Sequence, residues 1–245
     1  MRALIVSDIH SNLEAFRAVV RDAEDRGGFD TIWCVGDIVG YGPDPGACLD
    51  LLRSHPHAAI AGNHDLAAIE AIGVETFNPH AAAAERWTGE QLTDEHRTYL
   101  RDLPLTLECG AFTLVHGSPL DPVWEYFLPQ TMRPAALLAS FQRFTTPYCL
   151  VGHSHIPLVC RETDLTFRLF PEGEMLGLTS ERLVLNPGSV GQPRDGDPHP
   201  SYALYDSVAG TIGRFRTSYA IEVTQEKMRN AGLPEYLAAR LSHGR

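Results

Sequence analysis

Two histidines stand one residue apart in "LVGHSHIP" (residues 150–157), after an apolar run and just before a proline. In an extended segment the side chains of residues i and i+2 share a face, so His153 and His155 can both turn toward one point. Gly152 lets the chain turn as the strand ends, and Pro157 keeps that strand from running on. Taken alone, an H-x-H pair fits solvated loop histidines better than a metal site. Its weight comes from a pattern that recurs along the chain. "ALIVS" leads into Asp8 and His10, "TIWCV" into Gly36 and Asp37, and "HAAIA" into Gly62, Asn63 and His64. "FTLV" leads into His116, and "YCLV" into the pair at 153 and 155. Each run has strand length and delivers ligand-type side chains at its C-terminal end. Open α/β sheets bind their ligands beyond the carboxyl ends of strands, and the pattern points to such a site.

The segments "SDIHSN", "GDIVGYG", "AGNHD", "LVHGSP" and "GHSHIP", in this order, resemble the motifs of the calcineurin-like metallophosphoesterases, and within them the small bacterial and archaeal phosphodiesterase branch. Each motif is weak by itself; five in order, each at a strand end, are specific. The resemblance runs from about Leu4 to near Gly196. It implies an α/β fold, an αββα four-layer sandwich of two mixed β-sheets flanked by helices, with a two-metal site at the sheet edges. It also implies a ligand set: Asp8, His10, Asp37 and His155 for one metal, and Asp37, Asn63, His116 and His153 for the other. Two cations about 3.5–4 Å apart clamp a phosphoryl group and generate hydroxide at neutral pH. Only a carboxylate can hold two positive charges so close, and Asp37 is the candidate bridge. Two aspartates and a hydroxide against two divalent ions leave a formal charge of about +1, which draws phosphate esters in. Mixed nitrogen and oxygen ligands suit Mn²⁺, and also Zn²⁺, Fe or Ni²⁺.

In this reading Asn63 and His64 contact the substrate. His64, beside a ligand but turned the other way, stands near the leaving-group oxygen as a charge stabiliser or proton donor, and with Asp37 forms the catalytic pair. Asp65 either orients His64 or caps the helix "LAAIEAI", with the cap favoured. "NPGS" (186–189) packs beside the site in the family pattern. One departure matters. Serine/threonine protein phosphatases carry Asp-Arg-Gly after their Gly-Asp, with the arginine on the phosphate, whereas this chain has Gly40, Tyr41 and Gly42 there. Protein phosphatase activity is therefore disfavoured. Arg194 is an alternative source of positive charge, although a Pro- and Gly-rich loop tip is usually just solvated. The expected activity is hydrolysis of a phosphodiester, with phosphomonoesters as a further class, by attack of a metal-bridging hydroxide. The alternative is a non-catalytic metal-binding scaffold on the same fold, as in retromer-type relatives.

The elements that must position these residues are also legible. Ser11 and Glu14 have the spacing of a capping box ahead of the stripe Leu13, Phe16, Val19, Val20 and Ala23. Asp44-Pro45 and Asn78-Pro79 open further helices, and "TDEHRTYLRDL" offers another cap and helix. Residues from about 66 to 104 thus read as a helical insertion, and about 117–147 as a second one carrying Trp124, Tyr126, Phe127 and a helix from Pro134. Together with Trp87, these aromatics either cover a base by stacking or, more simply, pack the insertions onto the core. "LTFRLF", "RLVLN", "SYALYD" and "GTIGRFRTSYAIEV" read as strands joined by Gly- and Pro-rich turns. The tail, about 222–245, reads as helical with a break at Gly232 and Pro234.

At 245 residues the chain can bury a full core, and no linker divides it, so one domain over 1–245 is expected. Five cysteines without C-x-x-C argue against a zinc knuckle or a disulfide framework and for small buried apolar residues. The apolar start "MRALIVSDIH" is too short to span a membrane and lacks a cleavage pattern, so a cytoplasmic protein with no membrane partner is expected. A net charge of −11 repels a polyphosphate backbone, which excludes dedicated nucleic-acid binding. A small phosphate ester, nucleotides included, is the expected partner; oligomeric state is not legible.

Overall fold

Alternation along β1 (Arg2–Val6) sets the architecture. Ala3 and Ile5 join one apolar cluster, Leu4 and Val6 another, and all four are fully buried. A strand buried on both faces must lie between two layers. In the computed structural model, which describes residues 1–245, Ala3 and Ile5 meet Phe112, Leu114, Leu150 and Leu185 of a second sheet. Leu4 and Val6 meet the apolar stripe of α1 (Leu13–Asp25) and Leu49 and Leu52 of α2 (Pro45–Arg53).

In the first sheet, β3 (His57–Ala59), β2 (Thr31–Cys34) and β1 run parallel. The order continues antiparallel through β11 (Ser201–Asp206), β12 (Thr211–Arg216) and β9 (Met175–Gly177). The second sheet has the order β4 (Thr106–Cys109), β5 (Phe112–Val115), β6 (Tyr148–Leu150), β10 (Leu183–Asn186), β7 (Leu158–Arg161) and β8 (Phe167–Leu169). Its centre, β5, β6 and β10, is parallel. Phe127, Phe144 and Leu137 and Phe141 of α6 (Pro134–Phe141) cover its outer face against Val115, Cys149 and Val184. The expected αββα sandwich of two mixed sheets is what the chain forms. Cys34, Cys48, Cys149 and Cys160 are buried and all five thiols are free.

The stretch 66–104 holds the end of α3 (Asn63–Ala68), then α4 (Pro79–Gln91) and α5 (Asp94–Asp102). Asn78 accepts from the His80 and Ala81 amides and Thr93 from the His96 amide, so both expected caps form. The tail forms α7 (Ile221–Asn230) and α8 (Glu235–Arg240), parted by Gly232 in a left-handed conformation. It packs on α4 through Met228, Leu233 and Leu237 against Ala81 and Ala84.

Four local expectations are corrected. The cap of α1 is Asn12, whose side chain accepts from the Ala15 amide at 3.2 Å, not Ser11. Ser11 lies one residue too early and has a left-handed φ of 53°, while Glu14 turns to Lys227 Nζ at 2.6 Å. Asp44 precedes α2 without a side-chain cap bond and accepts instead from Lys227 at 2.9 Å. The final strand stops at Arg216, and "IEV" opens α7, where Ile221 packs on the tail cluster and Val223 is exposed. Pro157 does not end β6, which already stops at Leu150; it directly precedes β7, antiparallel to β10.

Candidate metal centre

The loops after β1, β2, β3, β5 and β6 converge. Asp8, His10, Asp37, Asn63, His64, His116, His153 and His155 come together there, none more than 5% exposed. Two side-chain groups are close enough to hold an ion each: Asp8, His10 and His155, and Asp37, His116 and His153, with ligand atoms within 4.8 Å of one another. His10 links them, its Nε2 lying 3.8 Å from Asp8 Oδ1 and 3.7 Å from Asp37 Oδ2. Asn63 Oδ1 is 3.2 Å from His116 Nε2. His10 and His64 also form a group with Asp37.

Backbone strain accompanies this convergence. Of nine non-glycine residues with left-handed φ, five are Asp8, His10, Asp37, His153 and His155. Each such conformation costs an L-residue roughly 1–2 kcal/mol, and such strain clusters at functional sites. His153 and His155 therefore reach the site from two left-handed residues, not from a flat pleat, and each joins a different group. Hydrogen bonds offset the strain. The amides of Asp8, His10 and Ser11 donate to the carbonyls of Gly36, Asp37 and Ile38, all at 3.0 Å, which laces the first two loops together. The "NPGS" segment packs beside the site as expected: Ser189 Oγ donates to the Asp8 carbonyl at 2.8 Å, and Asn186 Nδ2 to the Gly152 carbonyl at 2.7 Å.

The donor chemistry fits divalent cations. His10, His116 and His155 place Nδ1 at 3.1, 2.8 and 2.6 Å from the carbonyls of Val39, Val35 and Gln192. A carbonyl only accepts, so Nδ1 carries a proton and Nε2 is the atom turned to the centre, as in metal-bound imidazoles. The Nε2 atoms of His10 and His155 then confront each other at 3.2 Å, an arrangement a cation relieves. Asp37 Oδ2 is buried with no hydrogen bond, although His116 Nε2 lies 3.1 Å away. Its other oxygen accepts from the His64 amide at 2.9 Å.

Electrostatics agree. Burial pushes the Asp37 carboxyl up, but His116 and His64 more than offset this and hold it below the usual carboxylate range. Burial lowers His116 while the charge of Asp37 raises it further, to about 9. The negative potential that holds this proton is the potential that would hold a cation. Burial keeps His10 and His155 neutral, and the charge of Arg194 further depresses His155.

His64 has a partner the sequence did not reveal. Its Nδ1 is hydrogen-bonded to Glu85 of α4, a carboxylate 1% exposed. Burial lowers the His64 pKa, but Glu85 outweighs it and the net shift is upward. The one available signal was an acidic residue on the buried face of an alanine-rich helix. Asp65 does not orient His64. It sits in the first turn of α3, accepts from the Gly62 amide at 2.9 Å, and clamps the Asp37 loop through the amides of Ile38 and Val39 at 2.9 and 3.0 Å. It therefore caps α3 from within rather than from before "LAAIEAI".

The insertion aromatics divide. Phe127 is fully buried under the second sheet and Trp87 packs against the tail cluster. Tyr126 and Trp124 are exposed at the site: the Tyr126 ring stacks on His153 at 4.0 Å, and Trp124 meets Phe77, which meets His64.

Comparison with known proteins agrees with this geometry. Residues 1–210 match the model of the calcineurin-like phosphoesterase superfamily domain. The uncharacterized protein MJ0912 of Methanocaldococcus jannaschii is 37% identical over 98% of this chain and 97% of its own length. The crystal structure of a metallophosphoesterase from Sphaerobacter thermophilus is 46% identical, with a TM-score of 0.88, covering 100% of this chain and 99% of that one. A symmetrical bis(5'-nucleosyl)-tetraphosphatase of Glaesserella parasuis is 27% identical over 51% of this chain, which spans about half (47%) of that relative's length. The chain belongs to the calcineurin-like phosphoesterase superfamily and is a metal-dependent phosphoric ester hydrolase.

Proposed function

We propose that the protein hydrolyses phosphodiester bonds of a small, nucleotide-like ester at a centre for two divalent cations. Asp8, His10, Asp37 and His155 hold one, and Asp37, Asn63, His116 and His153 the other. The observation that carries this reading is the set of three imidazoles whose Nδ1 atoms are tied to backbone carbonyls, so that their Nε2 atoms face the buried carboxylates, those of His10 and His116 toward the unpaired Oδ2 of Asp37 and that of His155 toward Asp8 Oδ1. Cations bound there supply Lewis acidity toward the phosphoryl oxygens and a hydroxide nucleophile at neutral pH. His64, its Nδ1 engaged by Glu85, has Nε2 left to donate a proton to the departing alkoxide. Asn63, in the first turn of α3, is within reach of the same phosphoryl group. Tyr126 and Trp124 border the entrance, where a base can stack. Similarity to a bis(5'-nucleosyl)-tetraphosphatase over half its length supports a nucleotide among the substrates.

A pure scaffold needs no proton donor, and the buried His64–Glu85 pair favours hydrolysis over that reading. No helix is long and apolar enough to cross a membrane, and five free thiols suit the reducing cytoplasm where we place the protein. Manganese is the first metal to load, since the mixed imidazole, carboxylate and amide donors accept it. Loaded with Mn²⁺, the protein is expected to cleave bis-p-nitrophenyl phosphate. Asp37→Asn is expected to lose metal and activity together, and His64→Ala to keep its metal while turnover falls roughly 10²–10⁴-fold. Normal turnover by His64→Ala removes the leaving-group role; a wild-type protein that binds manganese and cleaves no phosphate ester removes the hydrolase.

A further inference from the structure

Beside the centre lies a cleft of about 400 Å³ whose walls come from five separate segments. Its size is that of a small-ligand pocket. Arg194, from the loop after "NPGS", and Arg240, from α8, both face it, together with Tyr41, Tyr126, His80 and Tyr236. Neither arginine pairs with an Asp or Glu side chain. Arg194 donates to Gln192 Oε1 at 2.8 Å and lies 3.4 Å from the Tyr41 hydroxyl, and Arg240 donates to the Arg245 carbonyl. Both are half-buried. In a chain with 31 acidic and 20 basic residues, two half-buried guanidinium groups turned to one cleft with no Asp or Glu side chain in its lining suit an anion, which has to displace only the Arg245 oxygen from Arg240. Burial and the charge of Arg194 both lower the Arg240 pKa, the mark of two cations sharing a space.

The aromatic lining gives the cleft its second property. Tyr126 is 38% and Tyr236 56% exposed, more than packing requires of either ring. Tyr236 stacks on His80 at 5.0 Å, and Tyr126 stacks on His153 of the metal centre at 4.0 Å. Tyr41 forms the shared wall: its ring centroid is 4.7 Å from His10 and 4.4 Å from His64, while Arg194 sits 5.8 Å over it. A molecule whose phosphoryl group reaches His10 and His64 thus extends past Tyr41 into the arginine cleft. A cavity of about 450 Å³ on the Ala67–Ala68 side of α4 carries Glu70, Glu75, Glu85 and Glu90 against Arg86 and Arg97, and this acidic excess does not suit an anion.

We propose that this cleft binds the part of the substrate that is not cleaved, and that this part carries at least one further phosphate and an aromatic base: the substrate is a nucleoside polyphosphate, with Arg194 and Arg240 on its distal phosphate and Tyr126 or Tyr236 against its base. The proposal rests on the phosphoesterase reading for its neighbouring site, but its test does not need catalysis. Titration calorimetry of the protein in EDTA with ADP, AMP and adenosine reads the cleft alone. ADP is expected to bind at least tenfold more tightly than adenosine. Arg194→Gln with Arg240→Gln is expected to weaken ADP at least tenfold and adenosine less than twofold, and the paired lysine variants, which keep the charge, to recover part of the loss. An unchanged melting temperature separates lost recognition from lost folding, and each single variant is measured alongside. ADP binding no tighter than adenosine, or equal ADP affinity in wild type and the double glutamine variant, overturns the proposal. Failure of the manganese-loaded protein to cleave any ester bears on the phosphoesterase reading and leaves the ADP result to decide the cleft.

Discussion

At the scale of single residues, the proton carried by His64 depends on a side chain 21 positions away. Glu85 is buried on α4 with its Oε2 unpaired, and burial raises its own pKa while the charge of His64 draws it down. Replacing it with glutamine keeps the size and an acceptor oxygen but removes the charge that favours imidazolium. Glu85→Gln is therefore expected to retain its manganese, measured by metal analysis, while kcat for bis-p-nitrophenyl phosphate falls roughly ten- to a hundredfold. Equal loss of metal and turnover would instead make Glu85 a structural support for the whole centre. The difference between Glu85 and the other site residues explains what was legible. Asp8 and His10, or His153 and His155, announce themselves by short spacing next to a strand end. Glu85 acts through a contact between a helix and a loop that no local pattern encodes. Arg194 was legible only as a charged loop tip, because its place over Tyr41 depends on a pairing 153 residues apart.

At the scale of elements, the runs that end in candidate ligands were readable because they are apolar and end in polar residues, and β1, β2, β3, β5 and β6 lie where those runs are. Short edge elements without such endings, β4 and β9, left no comparable trace. The left-handed conformations of the candidate-ligand loops were equally hidden: Asp and His are enriched there over other L-residues, but few of them adopt it and nothing in the sequence marks which. Gly62 shows how tightly one such loop is built. A Cβ there would run into Asp37, meeting its backbone nitrogen at 2.6 Å and its carboxylate closer still. The neighbour is a fixed loop rather than the end of a flexible side chain. Gly62→Ala is thus expected to displace Asp37, lowering stability by about 1–3 kcal/mol in denaturant titration and weakening manganese binding at least tenfold. A variant with wild-type metal affinity would show that the loop after β2 yields more easily than its hydrogen bonds to Asp65 suggest.

At the scale of the whole molecule, the centre joins both sheets: Asp8, Asp37 and Asn63 follow strands of the first, His116, His153 and His155 strands of the second. Whatever neutralises it therefore stabilises the sandwich as a unit. Without a cation this falls partly to a proton on His116, whose pKa stands at about 9 against 6.5 for a free imidazole. A histidine raised in the folded state contributes stability that is complete below pH 6.5 and disappears as pH climbs through 9. His64, raised by Glu85 despite its burial, acts in the same direction, whereas Asp65, pushed by burial and by Asp37 from 3.8 to about 7, gives up its share at lower pH, between those two values. The metal-free protein should accordingly lose stability between pH 6.5 and 9, His116 alone accounting for at most about 3 kcal/mol. In the manganese-loaded protein the ion takes the place of the proton, and binding strengthens as the competing proton leaves, so the same window brings no loss. Thermal melts in EDTA and in Mn²⁺ across this range measure both. The gap between the two melting temperatures is expected to widen with pH, by about 2–4 °C for each kcal/mol. In Asp37→Asn, where neither the His116 proton nor a cation has its counter-charge, the two curves should coincide. A gap that stays constant with pH would mean that His116 is neutral in the metal-free fold and that the potential at the centre is weaker than its buried carboxylates imply.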